Sequence, residues 1–187
     1  MTALSKRIRL FYLFHFAAPA VDRAILRAIA KMPVRSILEL GIGNGQRALR
    51  MLEVASLKMP MADISYTGVD LFEARDVAHG LGMSIKEAHK LFHAAGARAK
   101  LVPGDPYSAL SRVANTLGEI DLVVISTQVD RQSMAKAWFY LPRMLHRRSK
   151  VIVEQLGKNH APPKVTILSA GRVQQIAAKA SAPRRAA

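Results

Sequence analysis

The residues whose types and spacing suit ligand chemistry concentrate in one stretch, "ILELGIGNGQRALRML", positions 37 to 52. An apolar run ends in Glu39, glycines alternate at Gly41, Gly43 and Gly45, and a helical pattern then begins. A turn of this kind between a strand and a helix lets bare backbone come close to a nucleotide-like ligand. Three ligand classes use such turns, and the neighbouring residues separate them. A phosphate-cradling P-loop requires a lysine after its last glycine, and Gln46 stands there. A dinucleotide fingerprint requires Gly or Ala at the sixth position counted from Gly41, which is again Gln46. Glu39 also argues against a pyrophosphate, since a carboxylate would repel one arriving at the helix N-terminus and attract a cationic group instead.

Two more acids close apolar runs further on: Asp70 in "YTGVD" and Asp105 in "LVPGD". Taken with the acid-x-G-x-G-x-G pattern "ELGIGNG", the chain resembles the class I S-adenosylmethionine-dependent methyltransferases over about residues 34–154. The resemblance implies a Rossmann-like methyltransferase fold with S-adenosyl-L-methionine as cofactor. It implies a cofactor site made of Glu39, Gly41, Gly43, Gly45, Asp70, Leu71 and Asp105. In that family the acid at the place of Asp70 accepts the two ribose hydroxyls, a task suited to a carboxylate. An acid at the place of Asp105 lies near the adenine amino group, although Asp105 followed by Pro106 is equally a helix N-cap and first-turn pair.

The acceptor side is less explicit. Methyl transfer needs an aligned nucleophile and, for some acceptors, a base. The segment after the fourth apolar run reads "DLVVISTQVD" and offers Ser126, Thr127 and Asp130 as candidate catalytic residues, with Gln128 beside them. Asp130 is also a natural helix cap. Metal-dependent relatives resembling catechol O-methyltransferase carry a carboxylate where Ser126 stands, and serine is a poor ligand for a hard cation, so the expectation is metal-independent. The Asp/Asn-Pro-Pro-aromatic signature of amino-methylating nucleic-acid enzymes is missing, and without cysteine the chain cannot attack pyrimidines as C5-methylating enzymes do. His89 and His93 lie one helical turn apart with no third ligand in view. Tyr12, His15, His79 and His160 are flanking polar groups, and Phe72, Glu73 and Arg75 follow Asp70 in a long loop.

These residues must be carried by alternating strands and helices. Strands are expected at 34–40, 65–70, 100–102, 120–126, 151–154 and 164–168. Helices are expected at 22–31, 46–58, from a Ser84/Glu87 capping box to Gly96, from Asp105 to Gly118, from Asp130 through Leu145, and at 171–179. The fold class is therefore α/β, a doubly wound, mostly parallel sheet, shortened at its C-terminal end because only one strand follows the fifth. The ligand belongs beyond the strands' carboxyl ends, at the switch point beside the first strand. Three parts are expected: an N-terminal helical extension (1–33), the Rossmann-like domain (34–180) and a basic tail (181–187).

Of the 187 residues half are hydrophobic, enough for one sizeable core. With no cysteine, disulfides and thiolate chemistry are excluded. The net charge of +15 lies mainly in residues 1–50 and 151–187. Such charge attracts phosphates, RNA or anionic lipid, but no aromatic-and-basic recognition motif accompanies it. The start "MTALSKRIRLFYLFHFAAPA" resembles a signal peptide, yet Arg9 and His15 interrupt it, and Leu10, Leu13, Phe14 and Ala17 fit an amphipathic helix. The reading is a cytoplasmic, S-adenosylmethionine-dependent methyltransferase without a transmembrane segment. Its small-molecule or protein acceptor is open, as is its oligomeric state; nucleic acid is possible and not favoured. The alternatives are a non-catalytic cofactor-binding module and an RNA-binding protein.

Overall fold

A computed structural model describes residues 3–17, 19–75, 82–157 and 163–181. His79, His160 and the tail from 182 onward, with Arg184 and Arg185, lie outside the described residues. The elements run α1 (Ala3–His15), α2 (Ala20–Lys31), β1 (Ser36–Leu40), α3 (Gln46–Ala55), β2 (Ser65–Asp70), α4 (Ile85–Ala94), β3 (Arg98–Pro103) and α5 (Pro106–Val113). After these come β4 (Ile120–Ile125), α6 (Arg131–Ala137), β5 (Leu145–Gln155), β6 (Lys164–Ser169) and α7 (Ala170–Ser181).

The six strands form one sheet in the order β3-β2-β1-β4-β5-β6. All neighbours are parallel except β6, which runs antiparallel to β5 at the edge. The chain winds outward from β1 through β2 to β3, then returns to β4 on the other side of β1. The carboxyl end of β1 is thus the switch point, where helices depart in opposite directions and leave a crevice. Register fixes what meets there: Leu40 lies beside Val69 and Ile125, and Ile125 beside Val153. The next residues along these strands, Gly41, Asp70, Ser126 and Glu154, therefore come out at one level.

Alternation along the central strands divides the core into two layers. Ile37, Leu122, Val124 and Ile152 face α2, α3 and α4, where they pack with Leu26, Ile29, Leu52 and Phe92. Leu38, Leu40, Val123, Ile125 and Val151 face the other side, with Leu110, Leu141, Met144 and Val173. Leu13 and Ala17 of the N-terminal segment are buried in the first layer, so α1 packs on the domain through the predicted stripe. No helix among the described residues is long and apolar enough to cross a membrane.

Several boundaries differ from the sequence reading: α3 ends at Ala55 instead of residue 58 and α5 at Val113 instead of Gly118, and two differences are larger. The helix capped by Asp130 ends at Ala137 instead of Leu145, and a 3-10 turn over Leu141–Met144 follows. Pro142 explains the stop, because it offers no backbone N–H and disfavours helix at Leu141. The fifth strand begins at Leu145, six residues earlier than its apolar run suggested, and pairs irregularly with β4 between Ile120 and Leu122. Its first half, "LHRRSK", is too charged to read as strand; Ser149 secures it with a hydroxyl bond to the Ile120 carbonyl of 2.7 Å.

Candidate active site at the switch point

Gly41, Gly43 and Gly45 all take positive φ, +86°, +62° and +74°. Only glycine does so without strain, and this is why the motif alternates. The loop is closely walled: a Cβ on Gly41 would stand 2.9 Å from Ser126 Cβ, and one on Gly43 3.0 Å from Gln128 Oε1.

Asp70 organises this loop. Its Oδ2 accepts from the Ile42 and Gly43 amides at 2.7 and 3.0 Å, and its Oδ1 from the Phe72 amide at 3.2 Å. Arg75 then covers the outer side, its Nη2 donating to both oxygens at 2.6 and 2.7 Å while Nη1 donates to Gln128 Oε1 at 3.2 Å. The Arg75 side chain is only 7% exposed, and its Nε finds no partner among the described residues. Arg75 is thus a bridge across the mouth of the glycine loop, from the end of β2 to the loop after β4. Leu71 is exposed next to Asp70, and Phe72 is buried in the core with a positive φ of +49°, a strained setting for a bulky side chain.

Glu39 lies in a different environment from Asp70. It is fully buried; Oε1 accepts from Arg47 Nε at 2.7 Å and Oε2 from the Tyr66 hydroxyl at 2.6 Å. Arg47, at the start of α3, also donates to Glu154 Oε1 and to the Gly41 carbonyl. Glu154 Oε2 in turn accepts from the Thr127 amide at 3.2 Å. Burial pushes the Glu39 carboxyl up, while Arg47 and the Tyr66 hydroxyl pull it down in part. Burial pulls Arg47 down, but Glu39 and Glu154 outweigh it and hold the guanidinium above its ordinary value. Burial and the Glu39 charge both push Tyr66 up, so it stays a neutral donor. Glu39 therefore reaches the ligand loop through Arg47 rather than by its own exposed surface.

Asp105 and Asp130 are helix caps. Asp105 accepts from the Tyr107 and Ser108 amides at 3.0 and 3.2 Å, and from the Ser108 and Ser133 hydroxyls. Burial pushes its carboxyl up, but these bonds outweigh it and hold the group at about 2. Asp130 accepts from the Ser133 amide at 2.6 Å at the start of α6. Ser126 is buried, its hydroxyl accepting from the Gln128 amide at 3.2 Å. His89 and His93 are exposed on α4.

Two cavities open at this end of the sheet. One of about 390 Å³ is the more polar of the two and lies between α2, the glycine loop and the ends of β4 and β5, bordered by Asp22, Gly43, Arg50, Thr127, Gln128 and Glu154. The other, about 440 Å³, is mainly apolar and lies against α6, with Val129, Met134, Trp138, Val153 and Leu156. Both share Ser126, Thr127 and Glu154 as a common wall. Asp22, Arg47, Arg50, Tyr66 and Glu154 escaped the sequence reading, since nothing in their local spacing marks them.

Solved structures of similar fold include several methyltransferases. The chain matches an O-methyltransferase from Bacillus cereus in complex with S-adenosylhomocysteine at TM-score 0.57 and 12% identity, covering 96% of this chain and 80% of that one. Its fold is the Rossmann-like methyltransferase fold. A TehB-like S-adenosylmethionine-dependent methyltransferase from Corynebacterium glutamicum matches at 0.51 and 16% identity, with 95% and 80% covered. An O-methyltransferase family protein from Burkholderia thailandensis matches at 0.50 and 12% identity, covering 83% of this chain but 42% of that one. No family model matches the sequence. No curated protein matches it either. As the sequence reading expected, a single strand, β6, follows the fifth among the described residues.

Proposed function

We propose that the protein is an S-adenosylmethionine-dependent methyltransferase. The observation that carries this reading is the glycine loop: three left-handed glycines at the switch point, with the Asp70 carboxylate at the end of β2 holding the loop amides. The residues present suit the cofactor on two counts. The loop admits no side chain at Gly41 or Gly43, and a polar cavity adjoins it. They set one condition, that Arg75 leave Asp70.

In this reading Asp70 takes the ribose hydroxyls, Gly41 and Gly43 give close backbone approach, Gly45 starts the helix behind them, and Leu71 lines the nucleoside edge. Bound there, the cofactor supplies an electrophilic methyl group on a sulfonium, displaced in line by the acceptor. The chain's own contribution is placement. Thr127 and Glu154 form the wall between the two cavities, so an acceptor in the Trp138 cavity would meet a cofactor in the polar one. Asp105 and Asp130 act through helix caps that fix the loop after β4. Ser126 supplies no carboxylate for a metal, and transfer is expected to be metal-independent.

The test is calorimetry with S-adenosylmethionine and S-adenosylhomocysteine, followed by a screen of small acceptors in excess chelator. Micromolar binding and chelator-resistant turnover are expected. Binding without turnover on any acceptor would support the non-catalytic module instead. Turnover lost to chelator and restored by magnesium would reject the metal-independent reading.

A further inference from the structure

The polar cavity contains an imbalance that the proposed cofactor loop does not use. Among the described residues, three carboxylates, Asp22, Glu39 and Glu154, lie near two guanidinium groups: Arg47 pairs with Glu39 and Glu154, and Arg50 pairs with Asp22. Five of the six carboxylate oxygens are satisfied. Glu39 takes Arg47 and Tyr66, Glu154 takes Arg47 and the Thr127 amide, and Asp22 Oδ2 takes Arg50 at 3.0 Å. The sixth, Asp22 Oδ1, has no hydrogen-bond partner among the described residues, although Asp22 is 98% buried, at 2% exposure, and borders the cavity. Among the described residues a donor is thus missing at Asp22 Oδ1, and burial, only partly offset by Arg47 and Arg50, pushes the Asp22 carboxyl up, a shift that a cationic partner would oppose.

A buried acceptor left open is costly, and a buried unpaired charge more so. A hydroxyl would fill the bond and leave the charge. A quaternary ammonium would balance the charge and leave the bond. A protonated amine does both. We propose that this cavity binds a protonated amine, with Asp22 Oδ1 as its acceptor and Arg50 holding the Asp22 carboxylate in place. The amine has two possible sources, the amino-acid end of the cofactor or an amine-bearing acceptor; in both cases the inference rests on the methyltransferase reading only for the identity of the ligand, not for the site.

Calorimetry on the wild type and Asp22→Asn separates these. The ligands are S-adenosylhomocysteine, 5′-methylthioadenosine, which keeps the nucleoside but lacks the amino-acid end, and n-butylamine with and without S-adenosylhomocysteine. If the cofactor's amine is recognised, Asp22→Asn weakens S-adenosylhomocysteine roughly tenfold or more and leaves 5′-methylthioadenosine unchanged. If an acceptor's amine is recognised, S-adenosylhomocysteine is unaffected and n-butylamine binds the S-adenosylhomocysteine-saturated wild type but not Asp22→Asn. If no nucleoside binds even the wild type, the methyltransferase reading fails, and n-butylamine alone decides whether the amine site exists. An Asn44→Asp variant adds a negative charge at the cavity rim and should tighten the amine-bearing ligand, which guards against an Asp22 variant that does not fold. Equal affinities for every ligand across the wild type and both folded variants would overturn the proposal.

Discussion

In the proposed cofactor site, Arg75 and a nucleoside ribose would compete for the same two oxygens of Asp70. The pair is nearly sealed, with the arginine side chain 7% and the aspartate 4% exposed, so removing Arg75 leaves a buried carboxylate facing only backbone amides. Arg75→Ala should therefore have effects of opposite sign. The free protein loses about 3 kcal/mol of unfolding stability, as expected for breaking one side of a buried pair. The affinity for S-adenosylhomocysteine rises, by about tenfold, because no guanidinium has to be displaced. Denaturant titration and calorimetry on the same variant check both. A loss of affinity would mean that Arg75 holds the ligand instead of occupying its place.

Among the elements, the glycine loop and the caps of α5 and α6 carry distinguishable loads. A Cβ on Gly45 would stand 2.6 Å from Leu91 Cδ2 and Met83 Cε at a φ of +74°, whereas one on Gly96 at +67° meets nothing within 4 Å. Both alanine variants pay left-handed strain, about 1–2 kcal/mol. Gly45→Ala should cost more, by whatever overpacking the terminal methyls of Leu91 and Met83 do not relieve by moving, and the difference in urea midpoint between the two measures it. Asp105 ties α5 to α6 through Ser133 and is held at about 2, below the ordinary carboxylate value of roughly 4. Because the folded value is the lower one, its contribution is complete above about pH 4 and is lost as pH falls through about 2. Asp105→Asn should flatten stability against pH in that window, as urea midpoints at pH 5, 3 and 2 would register. These caps were legible because their signals are local: Ser84 with Glu87, Asp105 with Pro106, and Asp130 at the head of a helical pattern. The glycine loop was legible for the same reason. The Arg47 bridge from Glu39 to Glu154 was not, since its acids lie 107 and 8 residues from Arg47 and only the sheet brings them together. The early start of β5 was hidden because its charged half faces solvent, and no apolar alternation marks it.

Across the whole molecule, the acids and bases are used differently. Asp22, Glu39, Asp70 and Glu154 are buried at the switch point and paired with Arg47, Arg50 and Arg75. The +15 net charge is therefore carried by other residues, and one dense group is Arg147, Arg148 and Lys150 in the first half of β5. Since β5 runs parallel to β4 and ends at Glu154 by the cavities, this group lies at the opposite end of the sheet from the candidate active site. A nucleic acid attracted there would not present a base to the glycine loop. RNA binding is accordingly expected to be weak and non-specific, about 10⁻⁴–10⁻⁶ M at physiological salt. Replacing Arg147, Arg148 and Lys150 with alanine should lower the slope of log K against log salt by at most about 2, at ~0.7 per phosphate on a single strand. The same triple variant should leave S-adenosylhomocysteine affinity unchanged. Filter binding across a salt series gives the slope, and calorimetry gives the affinity. A sub-micromolar, structure-selective RNA complex at physiological salt, or a loss of nucleoside affinity in the triple variant, would join the basic end to the site and make RNA the acceptor to test first.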